Sequence, residues 1–241
     1  MGVVHKTRVS ALTRGYASDW NDSHEFDPTN EFTFYDCLIF NAFSTYWDDN
    51  QKSGGGAVTV SCEGSAGAGH LFASLASGSG AGDYISIRPL ITGAAENLTS
   101  PLDLPVFTTS VHLATIDTAD TPAEIGLFEC NVTPFTANQA GAYFRVKDNH
   151  LYAVVGDGTA ETEEDLGLLT SFENLYFVLR VAIESTTIRF YVNNLVAAAV
   201  GINTHRPVKN LTIKFSCQKT TAGENTLKWD SCALQRLRKT S

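Results

Sequence analysis

Long apolar runs, basic charge and helical periodicity are all scarce in this sequence, and each scarcity removes a class of function. The longest apolar run, Leu195-Val-Ala-Ala-Ala-Val-Gly-Ile202, falls far short of the roughly 20 residues that a membrane-spanning helix needs. A soluble chain with no membrane insertion is therefore expected. Lys and Arg number 17 against 26 Asp and Glu, a net charge of −9, which argues against nucleic-acid binding through a general basic surface. The start, Met1-Gly-Val-Val-His-Lys-Thr-Arg8, has positive charge but no apolar stretch behind it, so no secretory signal is expected. Lys6 stands where a myristoylation motif requires Ser or Thr.

Cofactor and nucleophile signatures are equally sparse. The five cysteines, Cys37, Cys62, Cys130, Cys217 and Cys232, form no C-x-x-C pair and have no histidine at ligand spacing, so no metal site is expected. Each sits in a strand-like run, where a reduced cysteine serves as a small buried apolar residue. No nucleophile elbow occurs outside the small-residue run Ser77–Gly82, the six histidines are dispersed, and no phosphate-cradling glycine loop opens a helix. No catalytic residue and no cofactor are predicted.

What the chain does have is 43% hydrophobic residues, enough for a substantial core, arranged in short β-branched and aromatic runs punctuated by Gly, Asn, Asp, Pro and Ser. Strands are predicted at 33–40, 57–62, 70–76, 84–90, 107–114, 124–131, 142–147, 151–156, 175–183, 187–193, 195–200, 211–217 and 226–236. Asn193-Asn194 supplies the positive φ angles of a tight hairpin, and Lys147-Asp-Asn-His150 turns a second one. So many strands in one chain of this length predict a sandwich or barrel covering 32–241. Residues 1–31 read as an irregular N-terminal arm or attachment segment. The small-residue stretches 64–69 and 77–82 read as flexible loops around the strand at 70–76.

From Tyr84 to Arg238 the order of elements resembles the concanavalin A-like lectin and glucanase jelly rolls, laminin-G-like domains included. The resemblance is carried by Glu124-Ile-Gly-Leu-Phe, Gly141-Ala-Tyr-Phe-Arg-Val, Leu151-Tyr-Ala-Val-Val-Gly-Asp-Gly, Tyr176-Phe-Val-Leu-Arg-Val-Ala-Ile and the hairpin Ile188-Arg-Phe-Tyr-Val-Asn-Asn-Leu-Val-Ala. Leu227-Lys-Trp-Asp-Ser-Cys-Ala-Leu-Gln-Arg-Leu is similar to the family's closing strand, which returns to pair near the first. The implied fold is an all-β, antiparallel two-sheet β-sandwich. Gly15-Tyr-Ala-Ser-Asp-Trp-Asn-Asp-Ser-His24 resembles a short segment near the start of tail-fibre and other appendage proteins of tailed viruses. That resemblance implies a virion protein whose partners are other virion proteins and copies of itself, and it makes Trp20, Asn21 and His24 candidate assembly residues.

Glycoside hydrolases on this jelly roll carry acids at alternate strand positions, which puts the nucleophile and the general acid on one face. Here Gly126 occupies the central acid position between Glu124 and Glu129, and the acid run Glu161-Thr-Glu-Glu-Asp165 reads as a solvated loop or a weak calcium site. Sugar binding needs an exposed aromatic ring with polar groups beside it. Tyr46, Trp47, Asp48 and Asp49 are the candidate ligand-binding residues on that criterion, with strand-end packing as the plainer reading of the same aromatics. Trp229, alternating with Leu227, is a core residue. The leading expectation is a non-enzymatic virion structural protein that contacts host surface glycans and self-associates; the alternatives are a carbohydrate-active enzyme and a free lectin domain.

The net charge divides unevenly, −15 over residues 1–203 and +6 over 204–241. No Lys or Arg interrupts the acids from Asp19 to Asp49. Because the basic end holds the closing strand, the two ends of the chain are expected to meet.

Overall fold

The computed structural model describes residues 31–36, 47–63, 70–91, 94–95, 98–115, 121–169, 176–220, 223 and 225–236. Two antiparallel sheets, packed face to face, account for nearly all of them. Sheet A contains β1 (Glu31–Asp36), β3 (Ala57–Glu63), β4 (His70–Ala76), β7 (Val106–Thr115), β12 (Tyr176–Ile183), β13 (Thr187–Val192), β14 (Leu195–Gly201) and β16 (Thr226–Arg236). Its order is β14-β13-β12-β7-β16-β4-β3, with β1 also pairing to β16. Sheet B contains β2 (Trp47–Ser53), β5 (Tyr84–Ile91), β6 (Ala94–Ala95), β8 (Ala123–Glu129), β9 (Gly141–Lys147), β10 (His150–Gly156), β11 (Glu161–Leu168) and β15 (Leu211–Gln218). Its order is β11-β10-β9-β8-β15-β5-β2, with β6 beside β5.

The core lies between the sheets, because alternate residues of each strand point to the same face. Ile125, Leu127, Phe144, Val146, Ala153, Val155, Ile213 and Phe215 from sheet B meet Phe107, Leu179, Val181, Ile188, Phe190 and Trp229 from sheet A, all buried. Phe215 stacks on Trp229 at 4.8 Å between ring centroids. Trp47 meets both edge-on at 5.8 and 5.9 Å. The two hairpins form as the turn residues dictate: Val192 pairs with Leu195 across Asn193 (φ 48°) and Asn194 (φ 67°), and Lys147 pairs with His150 across Asp148 (φ 49°) and Asn149 (φ 64°). Cys130, Cys217 and Cys232 are buried and unbridged, as expected for small apolar fillers; Cys37 lies outside the described residues. The two ends of the chain do meet: β1 pairs with the C-terminal half of β16, Glu31 opposite Arg236.

One expectation is corrected; of the two small-residue loops one gains a physical cause, and 64–69 lies outside the described residues. The run 161–165 is a regular edge strand, paired residue for residue with β10 from Gly156↔Glu161 to Ala153↔Glu164. The Ser77–Gly82 stretch is a clasp: the Gly55 and Gly80 N–H groups donate to Asp83 Oδ2 at 2.9 and 2.8 Å, and Ser77 is buried and bonded to Asn225. A Cβ at Gly54 (φ 64°) would sit 1.8 Å from Asp83 Oδ1, so the small residues there reflect close approach to a buried carboxylate.

Candidate functional site

Of the four sequence-selected ligand-binding residues, Trp47 alone has a described side chain, and it lies in the core rather than on the surface. Trp47 is 5% exposed, wedged against Phe215 and Trp229 in the core, because it opens β2 on the inward face of sheet B. Asp48 pairs with Arg88 through the backbone, and Asp49 falls where the β2–β5 register shifts. Tyr46, Trp20, Asn21 and His24 lie outside the described residues.

Chemistry concentrates instead on the outward face of sheet B. Alternation places Glu124, Gly126 and Phe128 of β8, Tyr143, Arg145 and Lys147 of β9, and His150, Tyr152 and Val154 of β10 on that face. Register then aligns Glu124, Arg145, Tyr152 and Asp165 in one row across four strands, with Gly126, Tyr143, Val154 and Glu163 in the next. Phe128 stacks on Tyr143 at 4.3 Å, and Val154 completes a small apolar cluster against which Tyr152 packs.

Arg145 is the hub. Its Nε donates to Glu124 Oε1 at 3.0 Å, Nη1 to Glu161 Oε1 at 2.8 Å and to Glu163, and Nη2 to the Tyr143 hydroxyl at 2.7 Å. Glu124 is wholly buried under residues 130–140: the Gln139 amide donates to both its oxygens at 2.7 Å and the Phe135 N–H to Oε2 at 3.0 Å. Burial pushes the Glu124 carboxyl above the usual carboxylate range, against the pull of Arg145 and Gln139. Burial opposes the charge on Arg145 too, but the hydrogen bonds and charges of Glu161 and Glu124 outweigh it and raise the guanidinium above its ordinary value. Tyr143, cut off from water and beside Glu124, is pushed up as well. Glu163 pays some desolvation, yet Arg145 and Lys147 hold it below the usual range. Glu124, Glu161 and Glu163 thus all engage the one Arg145 guanidinium.

At the rim of this network lies a half-buried aromatic ring with polar neighbours. Tyr152 is flanked by Lys147, whose Nζ is 5.7 Å from the ring centroid, and by His150, stacked at 6.0 Å. His150 Nδ1 lies 2.8 Å from Asp165, and Lys147 Nζ donates to Glu163 at 3.1 Å. His150 and the Gly167 N–H lower the Asp165 carboxyl, keeping it charged. The signal was present in the sequence: Tyr143-x-Arg145-x-Lys147 and His150-x-Tyr152 alternate on the two arms of one recognisable hairpin. It was missed because the partner acids of β11 read as a loop.

A Cβ at Gly126 would lie 2.6 Å from both Cα and Cβ of Tyr143, so no side chain fits at that position. Among the described residues no group of three or more His, Cys, Asp and Glu side chains is arranged to hold a metal ion. No described helix is long and apolar enough to cross a membrane.

No protein-family model matches the chain, and no curated protein matches it in sequence. Solved structures do match in fold. The apo Crh5 transglycosylase superposes with a TM-score of 0.57 at 8% identity, over 87% of this chain and 88% of that one. The endo-β-1,4-glucuronan lyase of the fungus Trichoderma reesei gives 0.56 at 10% identity, over 86% and 96%. The Emp47p carbohydrate recognition domain gives 0.55 at 11% identity, over 88% and 99%. The chain also spans 43% of a botulinum neurotoxin DC binding domain, at a TM-score of only 0.48. At these identities it is the architecture that is shared. The chain has the lectin-like, concanavalin A-like β-sandwich fold.

Proposed function

We propose that this chain is a non-enzymatic, glycan-binding β-sandwich module displayed in many copies on the surface or an appendage of a virus particle. The carrying observation is the Tyr152 ring with Lys147, His150, Glu163 and Asp165 around it. A pyranose offers an apolar C–H face to stack on such a ring and hydroxyls to meet charged groups at its edge. The fold agrees, since solved neighbours include a carbohydrate recognition domain and two glycan-acting enzymes. The virion setting is supported by the resemblance of residues 15–24 alone. In that setting weak sites act together, because linked copies raise the effective concentration of each.

The enzymatic alternative rests on Glu124, Glu161 and Glu163 converging on one face. Against it, a retaining or inverting mechanism needs two carboxyls flanking an open bond, one able to give a proton. Here the acids converge on Arg145 and Glu124 lies beneath Gln139.

A glycan array followed by calorimetric titration of the best ligand tests the proposal. Tyr152→Ala should weaken binding about tenfold, ~1.4 kcal/mol, while Tyr152→Phe, which keeps the ring, should retain it. Unchanged affinity in the Ala variant removes the site. Release of reducing ends from polysaccharides, abolished by Glu161→Gln or Glu163→Gln, would replace the binding reading with the enzymatic one.

A further inference from the structure

The two strands that close one flank of the sandwich are protected very differently. On sheet B the edge strand β11 presents Glu161, Glu163, Glu164 and Asp165, the kind of charge that discourages another strand from pairing. On sheet A the neighbouring edge, β14, has the sequence Leu-Val-Ala-Ala-Ala-Val-Gly, with no charge and no proline. Leu195 is 74% and Val196 58% exposed, Ala197, Ala199 and Gly201 are exposed as well, and only Val200 is buried. An uncharged, apolar edge with open backbone donors and acceptors is a pairing surface.

We propose that β14 is the dimer interface of this chain, pairing antiparallel with β14 of a second copy about a two-fold axis to join the two A sheets. A second copy fits for three reasons. The strand is its own complement, and because it is uncharged a two-fold brings no like charges into register. Pairing through β11 would instead set four acids against four. On the outward face Val196 lies beside Tyr191, whose ring is covered on its far side by the Arg180 guanidinium at 4.5 Å from the centroid.

The contact is small. Seven residues make about 24 Å of edge, and the sheets of a sandwich lie about 10 Å apart, so the pair buries about 500 Å², well below the roughly 1,200 Å² at which stable interfaces begin. The register shift opposite Phe190 and Tyr191 leaves Ala197 as an extra residue and shortens the regular ladder further. The dimer is therefore weak and concentration-dependent. Because the acidic β11 edges of the two copies draw near one another, added salt strengthens it by screening their repulsion.

Sedimentation equilibrium of the 26.0 kDa chain, in reductant and from micromolar to several hundred micromolar, tests this. The average mass should climb towards twice the monomer value, more steeply in higher salt. Val196→Lys and Ala199→Lys, both at exposed positions, should keep the circular dichroism spectrum and remain monomeric. Leu102→Lys, at an exposed apolar residue in the 3-10 turn Pro101–Asp103, should dimerise like the parent. A parent that stays monomeric throughout overturns the proposal, as does dimerisation unaffected by Val196→Lys or lost in Leu102→Lys.

Discussion

Lys214 gives the sharpest test of how the outward face of sheet B is built. Its side chain is 1% exposed, its Nζ donates to the Val132 carbonyl at 2.7 Å, and the register of β15 with β5 sets it near the buried Arg88. Burial, reinforced by the positive charge of Arg88, pushes its ammonium down from 10.5 to about 8. The unfolded chain keeps that proton up to about 10.5, so between pH 8 and 10.5 the unfolded state binds more protons and stability rises with pH. The full gap between those two values corresponds to about 3 kcal/mol. Replacing the group by Lys214→Met removes the linkage while keeping the apolar stem. Denaturant unfolding of both proteins at intervals from pH 7 to 10.5, in reductant, isolates it, because every other titrating group cancels in the difference. The parent should gain about 3 kcal/mol on the variant across that range. A difference that stays flat, or moves in the variant's favour, refutes the assignment of Lys214 as a buried cation held at a cost.

Two further tests address backbone and carboxylate contacts. Gly126→Ala should destabilise the fold by about 2–3 kcal/mol, read as a lower denaturant midpoint, since the added methyl meets the Tyr143 backbone rather than a movable side-chain tip. Asp83 is held below the usual carboxylate range by the Gly55 and Gly80 N–H groups, so its contribution is present above the unfolded value of 3.8 and is lost as pH falls through the lower folded one. Asp83→Asn should therefore flatten the acid limb of the stability profile below pH 4 without changing the neutral-to-alkaline limb; an unchanged acid limb would show that the glycine clasp does not bind the anion.

Most strands were legible because they sit in the interior of a sheet and bury one face or both. Thr226–Arg236 and His70–Ala76 match their predicted bounds. The two long strands that were missed, Trp47–Ser53 and Glu161–Leu168, are the two edges of sheet B. The acids and amides that discourage pairing at these two edges also erase their β signature, whereas the uncharged edge β14 was legible. The burial of Trp47 has the same root: the polar residues that follow it belong to an edge strand whose inward position anchors a core indole. Tyr152 was harder to find because its surroundings come from three strands, and register, which a linear reading does not contain, sets Asp165 beside it.

The placement of β16 also governs when this protein can fold. Residues 226–236 pair with β7 and β4 and, further along, with β1, partners that lie more than a hundred residues earlier in the chain. During synthesis those three strands emerge first and wait with an unpaired flank until the strand between them is made. Sheet A is thus completed only after translation has passed Arg236, from non-local contacts that close slowly. Until then the edges of β7, β4 and β1 that β16 covers stay open to other partners.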